Sequence, residues 1–143
     1  MKLSKIIILI IGAICISCSK YDTLSLEGTL WVFEGTEEGK EEALNYQNLK
    51  HEFIPVTVNI YSEIRFKSKE TLTMYWCSRI NYDKSKYEIR HSIYNRSGGG
   101  KYNYYFHKKK MYVIDPKSPE PMIFIIEGDR MWQEGSEGYL IKQ

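Results

Sequence analysis

The segment VTVNIYSEIRFK, residues 56–67, alternates apolar and polar side chains along its length. Period-two alternation places the two kinds of side chain on opposite faces of an extended strand, whereas a helix would mix them. The apolar face carries Val56, Val58, Ile60, Ile64 and Phe66. This segment therefore predicts a half-buried antiparallel strand with one face in a core.

The same alternation continues on both sides of this segment. A polar turn at 68–70 leads into a second strand at 71–79, so that the two strands form a hairpin. Residues 87–94 and 102–107 alternate again, and the SGGG sequence at 97–100 predicts the turn between them. Shorter strands with tight turns follow up to the last residues, and 30–37 supplies a first strand.

About eight sequential strands with short connections close most simply as an up-and-down barrel, because closure removes the exposed edges of an open sheet. The sequence therefore predicts an all-β, antiparallel meander barrel. One segment departs from the pattern. Near residues 40–53, Ala43, Tyr46, Leu49 and Phe53 recur at spacings of 3, 3 and 4, which predicts a short amphipathic helix beside or across one barrel end.

The first residues have the layout of a secretory signal peptide. Lys2 and Lys5 precede an apolar run from Ile6 to Ile16, and such a run is too short to span a bilayer, which takes about 20 residues. Its end, at residues 14–18, resembles a bacterial lipobox. The resemblance implies cleavage after residue 17 and acylation of Cys18, and several acyl chains together give stable anchoring.

The predicted cleavage site divides the chain into a lipoprotein signal peptide at 1–17, a lipidated tether at 18–26 and a lipocalin-like barrel domain at 27–143. Cys15 and Cys18 have the spacing of a redox or zinc pair, but cleavage separates them into different molecules. Cys77 is left without a partner and is interpreted as a small apolar filler.

Charge gives no indication of a nucleic-acid partner. The precursor has 20 basic and 18 acidic residues, and removing Lys2 and Lys5 leaves a formal charge of zero. The lysines at 108–110 are interpreted as a solvated turn. In the tether, residues 22–24 resemble the Asp-Ser/Thr-aliphatic motif at which some Gram-negative anaerobes O-glycosylate exported proteins, which makes Thr23 a candidate site.

The order of several short motifs carries a wider resemblance over residues 26–143. These motifs are LEGTLW at 26–31, GKY at 100–102, MYVI at 111–114, EGDRM at 127–131 and YLIK at 139–142. Together they resemble the small lipocalin-like lipoproteins of Gram-negative, Bacteroides-type anaerobes. The resemblance implies a meander barrel exported to the cell envelope and most simply anchored in the outer membrane. The lipocalin signature Gly-x-Trp is absent, because two residues separate Gly28 from Trp31.

The sequence contains no local catalytic motif and implies no cofactor. His51, His91 and His107 have no metal-ligand spacing, so no metal site is predicted. Twelve tyrosines and three tryptophans suit either core packing or a binding face. The candidate cavity residues are Trp76, His91, Tyr102, Tyr104 and Trp132.

Three functions remain open at this point. The first is a non-enzymatic, lipid-anchored barrel that binds a small apolar or glycan-like ligand or an envelope protein. The second is a structural or assembly-accessory lipoprotein whose barrel is filled. The third is a hydrolase or isomerase that uses the barrel cavity. A void in the lumen distinguishes the first from the second.

Overall fold

A computed structural model describes residues 25–143 of the chain. Within this range the protein is all-β, with nine strands and no helix. The strands are β1 (Leu30–Asn45), β2 (Lys50–Phe66), β3 (Thr71–Asn81), β4 (Tyr87–Glu88), β5 (Arg96–His107), β6 (Lys110–Ile114), β7 (Met122–Glu127), β8 (Arg130–Gln133) and β9 (Leu140–Lys142). The predicted signal peptide, Cys18 and Thr23 lie outside the described residues.

Eight of these strands close into an antiparallel barrel. Their order is β1-β2-β3-β5-β6-β7-β8-β9, and β9 returns to β1 through the pairs Trp31–Lys142 and Val32–Ile141. The ninth strand, β4, pairs only with Leu44 and Asn45 at the far end of β1. The structure thus confirms the predicted eight-stranded meander barrel.

The predicted helix near residues 40–53 is wrong. Residues 39–45 of β1 instead pair one by one with residues 50–56 of β2 in a long hairpin. Phe53 is 75 % exposed and Leu49 is 74 % exposed, so the 3-3-4 spacing does not mark a buried stripe. The only local trace of helical bonding is the turn, where the Leu49 N–H donates to the Asn45 carbonyl. Cross-strand pairing overrides a weak helical pattern here.

The SGGG segment, predicted as a turn, lies inside β5 and pairs with β3. Gly99 has a φ of +152°, and a Cβ on it would lie 2.2 Å from the Met74 carbonyl oxygen. The glycine is needed because the backbones of β5 and β3 approach too closely for a side chain. The strand predicted at 87–94 is much shorter in the structure. Only Tyr87–Glu88 is a strand, and 89–95 is irregular.

The core fills one end of the barrel, which we call the base. Strand β1 begins at the base, and the turns that follow β2, β5 and β7 lie at the same end. The buried residues of the base core are Leu26, Trp31, Ile64, Phe66, Leu72, Tyr104, Met111, Val113, Phe124, Met131 and Leu140. Leu26, which the sequence assigned to the tether, is therefore part of the barrel. Each such side chain contributes about 1.5–3 kcal/mol through burial.

A second, smaller core lies under the part of the β1–β2 hairpin that extends beyond the barrel. Ala43, Ile54, Val56 and Val58 face inward from the hairpin, and residues 82–95 cover them. Glu41 is buried on the same face and accepts hydrogen bonds from the Ser92 hydroxyl and from the Ile93 N–H. These bonds hold the irregular segment against the hairpin.

Gly99→Ala should lower the free energy of unfolding by about 2–4 kcal/mol. The new Cβ would collide with the backbone of β3, and alanine would have to adopt a φ that is unfavourable for it. Chemical denaturation measures the change. Gly138→Ala is the matched control: its Cβ would lie 3.7 Å from the Phe33 ring, an ordinary contact. A Gly99→Ala protein as stable as this control would contradict the close strand approach.

Candidate functional site

The upper half of the barrel, above the base core, contains a cavity of about 420 Å³. This volume is in the range of small-molecule sites. The lining from the strands includes Phe33, Ser62, Ile64, Met74, Trp76, Tyr102, Met122, Phe124, Gln133 and Leu140, and the upper loops add Asp115, Ser136, Gly138 and Tyr139. The cavity opens beside Trp76 and Tyr139, which are 43 % and 41 % exposed.

The lumen stays open because large rings lie over glycines in the wall. A Cβ on Gly98 would lie 2.8 Å from Nε1 of Trp76, its cross-strand partner. A Cβ on Gly100 would lie 3.1 Å from the hydroxyl of Tyr102. Since each ring occupies the place of a missing side chain, the rings lie along the barrel wall instead of across the lumen.

Phe33 repeats this arrangement on β1. A Cβ on Gly35 would lie 2.7 Å from Cζ of Phe33, so the ring lies over its own strand. Phe33 and Ser62 are directly opposite on β1 and β2, and Ser62 in turn is opposite Trp76 on β3. Three neighbouring strands therefore present two aromatic rings with a small hydroxyl side chain between them.

Most of the cavity lining is apolar, and its polar residues are few. Its deeper wall consists of aliphatic, methionine and phenylalanine side chains, whereas Asp115, Gln133 and Ser136 lie at the upper end. One Asp115 carboxylate oxygen accepts the Lys117 N–H at 2.9 Å. The lining contains no histidine, cysteine, lysine or arginine. This arrangement can hold an apolar group in the lumen and accept hydrogen bonds from a polar group at the mouth.

Two of the five candidate cavity residues line the cavity, and three lie elsewhere. Trp76 and Tyr102 line the cavity. Tyr104 is instead packed in the base core, where its ring meets Phe66 edge-on at 5.0 Å between centroids and its hydroxyl donates to the Ser68 carbonyl at 2.9 Å. His91 is exposed in the irregular segment, and Trp132 lies on the outer face opposite Ile125. Neither of these two residues lines the cavity.

Several lining residues were not predicted from the sequence. Phe33 shares the inward parity of Trp31, two residues earlier, and that alternation could have identified it. Asp115, Ser136 and Tyr139 lie in connections between strands, and no local pattern signals that these loops meet at the mouth. Their placement depends on closure of the whole sheet.

Tyr61 and Tyr104 are two of the three tyrosines in the described part of the chain whose pKa is raised, the third being Tyr75. Tyr61, on the outer face of β2, donates to the Glu63 carboxylate at 2.7 Å, and this bond raises the pKa of Tyr61 to about 12. Burial in the base core raises the pKa of Tyr104, with a smaller contribution from the charge of Glu27. Both shifts favour the neutral phenol.

Comparison with known proteins gives no assignment: no family model, curated protein or solved structure matches this chain significantly. Within residues 25–143, no group of three or more His, Cys, Asp or Glu side chains is arranged to hold a metal ion. No helix in this described part of the chain is long and apolar enough to cross a membrane.

The buried phenol of Tyr104 predicts sensitivity to alkaline pH. Because its folded pKa exceeds the value of 10.0 of a free tyrosine, its contribution to stability is complete below about pH 10 and is lost as pH rises through the folded pKa. Unfolding free energy measured from pH 8 to 11 should fall less steeply for Tyr104→Phe than for the wild type. Tyr105→Phe, an exposed ring, serves as control, and identical slopes for wild type and Tyr104→Phe would contradict the prediction.

Proposed function

We propose that this chain is an exported, lipid-anchored barrel of the cell envelope that binds a small molecule in its lumen. The observation that carries the proposal is the cavity of about 420 Å³ above a filled base. Despite twelve tyrosines and three tryptophans in the chain, the upper lumen is not packed. A barrel with a purely structural role would have no need for this void.

The lining supports a ligand with an apolar body and a hydrogen-bonding end. Phe33, Trp76 and Tyr102 offer ring faces, and Met74 and Met122 are polarisable side chains that adapt to varied shapes. The mouth supplies the carboxylate of Asp115 and the side chains of Gln133 and Ser136. Ser62 and Ser136 have no histidine beside them in the lining, so the site favours binding over hydrolysis.

The anchoring part of the proposal rests on the sequence. The run from Ile6 to Ile16, the lipobox-like end at Cys18 and the resemblance to lipocalin-like lipoproteins all support it. The fold is compatible in one respect: Leu26 lies in the base core, at the end opposite the cavity mouth. A lipid on Cys18 would therefore hold the base toward the bilayer and leave the mouth facing away from it.

Filling the lumen should weaken ligand binding without unfolding the barrel. The neutral fluorescent probe N-phenyl-1-naphthylamine should bind the wild type, and Ser62→Phe should weaken this binding at least about tenfold, or about 1.4 kcal/mol. Asn59→Phe is the matched control, because Asn59 lies on the same strand with the opposite, outward parity. Titration by fluorescence gives the dissociation constants. Equal affinity in the two variants would exclude the lumen as the site.

The lipid anchor has its own test. In cells labelled with a fatty-acid analogue, Cys18→Ala should lose the label and leave the membrane fraction, whereas Cys15→Ala should keep both. Replacing a single anchor residue removes all acyl chains, so the effect should be complete. Equal loss from both substitutions would show that the cleavage site is not at residue 18.

A further inference from the structure

Strand β1 has an edge that the barrel does not use. On the side away from β2, β1 pairs with β9 only at Trp31 and Val32, and with β4 only at Leu44 and Asn45. Residues 33–43 between these contacts have no strand partner on that side within the described chain. Closed barrels normally leave no such edge, so an eleven-residue stretch of this kind is a ready template for another strand.

Backbone hydrogen bonds at the two ends of this stretch show which groups of β1 point away from β2. The Leu30 carbonyl accepts from Gln143, and the Tyr46 N–H donates to Lys86, both away from β2, whereas the Thr29 carbonyl accepts from Phe66 of β2. Even-numbered residues of β1 therefore point their N–H and C=O groups away from β2. The residues that present unpaired groups along the free edge are Glu34, Thr36, Glu38, Lys40 and Glu42.

The free edge is strongly acidic. Residues 34–42, EGTEEGKEE, include five glutamates and one lysine. Glu34, Glu37 and Glu38 are exposed and form no ion pair within residues 25–143, while Glu42 is 3.8 Å from Nδ1 of His51. A strand added here would place its own side chains beside Glu34, Glu37 and Glu38, with Lys40 as the one basic residue of the row.

These charges oppose pairing with a second copy of the chain. An antiparallel, two-fold pairing centred on Glu38 would put Glu38 opposite Glu38 and Glu34 opposite Glu42. Like charges directly opposite one another destabilise a strand pair. The same row favours a strand that carries positive charge at alternate positions.

We propose that the free edge of β1 binds an extended, lysine- or arginine-rich segment of a partner protein by strand addition. Backbone hydrogen bonds to the even-numbered residues supply affinity, and the glutamates select for basic side chains. A groove formed by Val32, Phe33, Glu34, Glu137 and Tyr139 continues the edge toward β9. This interaction is separate from ligand binding in the lumen.

The first experiment uses synthetic peptides and the full chain in detergent. A fluorescein-labelled octapeptide that alternates lysine and threonine should bind saturably at low salt by anisotropy, and 0.5 M NaCl should weaken it at least about tenfold. The same peptide with glutamate in place of lysine should not bind. A version that is N-methylated at alternate residues, and so cannot pair as a strand, should bind at least about tenfold more weakly. Equal binding with and without N-methylation, or no binding at all, would overturn the proposal.

Variants of β1 then test whether the peptide binds at its free edge. Thr36→Pro removes one edge N–H that points away from β2, and edge strands tolerate proline, so the protein should keep its far-UV circular dichroism and lose peptide binding. A folded Thr36→Pro protein that binds normally would overturn the proposal; if this variant does not fold, the N-methylated peptide decides. Glu34→Gln combined with Glu38→Gln should weaken binding about threefold or more, whereas Glu70→Gln, an exposed glutamate at the base, should not.

Two further outcomes separate this proposal from its alternatives. Ser62→Phe should retain full peptide binding, so that failure of the lumen as a ligand site and failure of the edge as a peptide site can be told apart. Sedimentation velocity should give a monomer without peptide. A dimer that Thr36→Pro dissociates would instead assign the edge to a second copy of this chain.

Discussion

Closure of the sheet between β9 and β1 is the interaction on which the rest of this structure depends. It pairs Val32 with Ile141, brings the Gln143 N–H to the Leu30 carbonyl, and draws β1 into the barrel at the base. Leu26 and Trp31 are then enclosed among residues of the other strands. Since β9 is only three residues long, β1 leaves the barrel soon after Val32. Both the open upper lumen and the free edge of β1 follow from this short contact.

The glycines of β5 have a role that differs from the usual one of reversing the chain. Gly99 permits close contact with β3, while Gly98 and Gly100 leave space at inward positions for the rings of Trp76 and Tyr102. An aromatic ring over a glycine covers backbone that would otherwise be poorly packed. Because the rings are held against the wall, aromatic content and an open lumen coexist in a small barrel.

Much of the fold follows from the sequence, because strand parity is a local property. The alternation at 56–67 and 71–79 correctly identified the hairpin of β2 and β3, and it placed Trp76 inward. The pattern failed where long-range pairing competes with local preference. Residues 40–45 of β1 pair with residues 50–55 of β2 instead of following a weak helical spacing, and the SGGG segment is held extended by β3.

The candidate site was predictable only in part for the same reason. Trp76 and Tyr102 were identified by their position in strands, whereas Asp115 and Ser136 reach the cavity through connections of irregular length. His91 was assigned inward on the assumption that 87–94 is a strand, which it is not beyond Glu88. Loop geometry depends on the finished barrel and leaves little trace in the sequence.

The contact between β1 and β9 consists of only two residue pairs, as does the contact between β8 and β9. A barrel opens most readily where the fewest hydrogen bonds must break, and every other neighbouring pair of barrel strands except β8–β9 shares at least four residue pairs. Slow amide exchange would therefore persist in β2 and β3 while the C-terminal strand detaches and returns. Since Leu140 both lines the cavity and begins β9, such breathing would widen the lumen sideways, giving a bulky molecule an entrance that the static mouth does not provide.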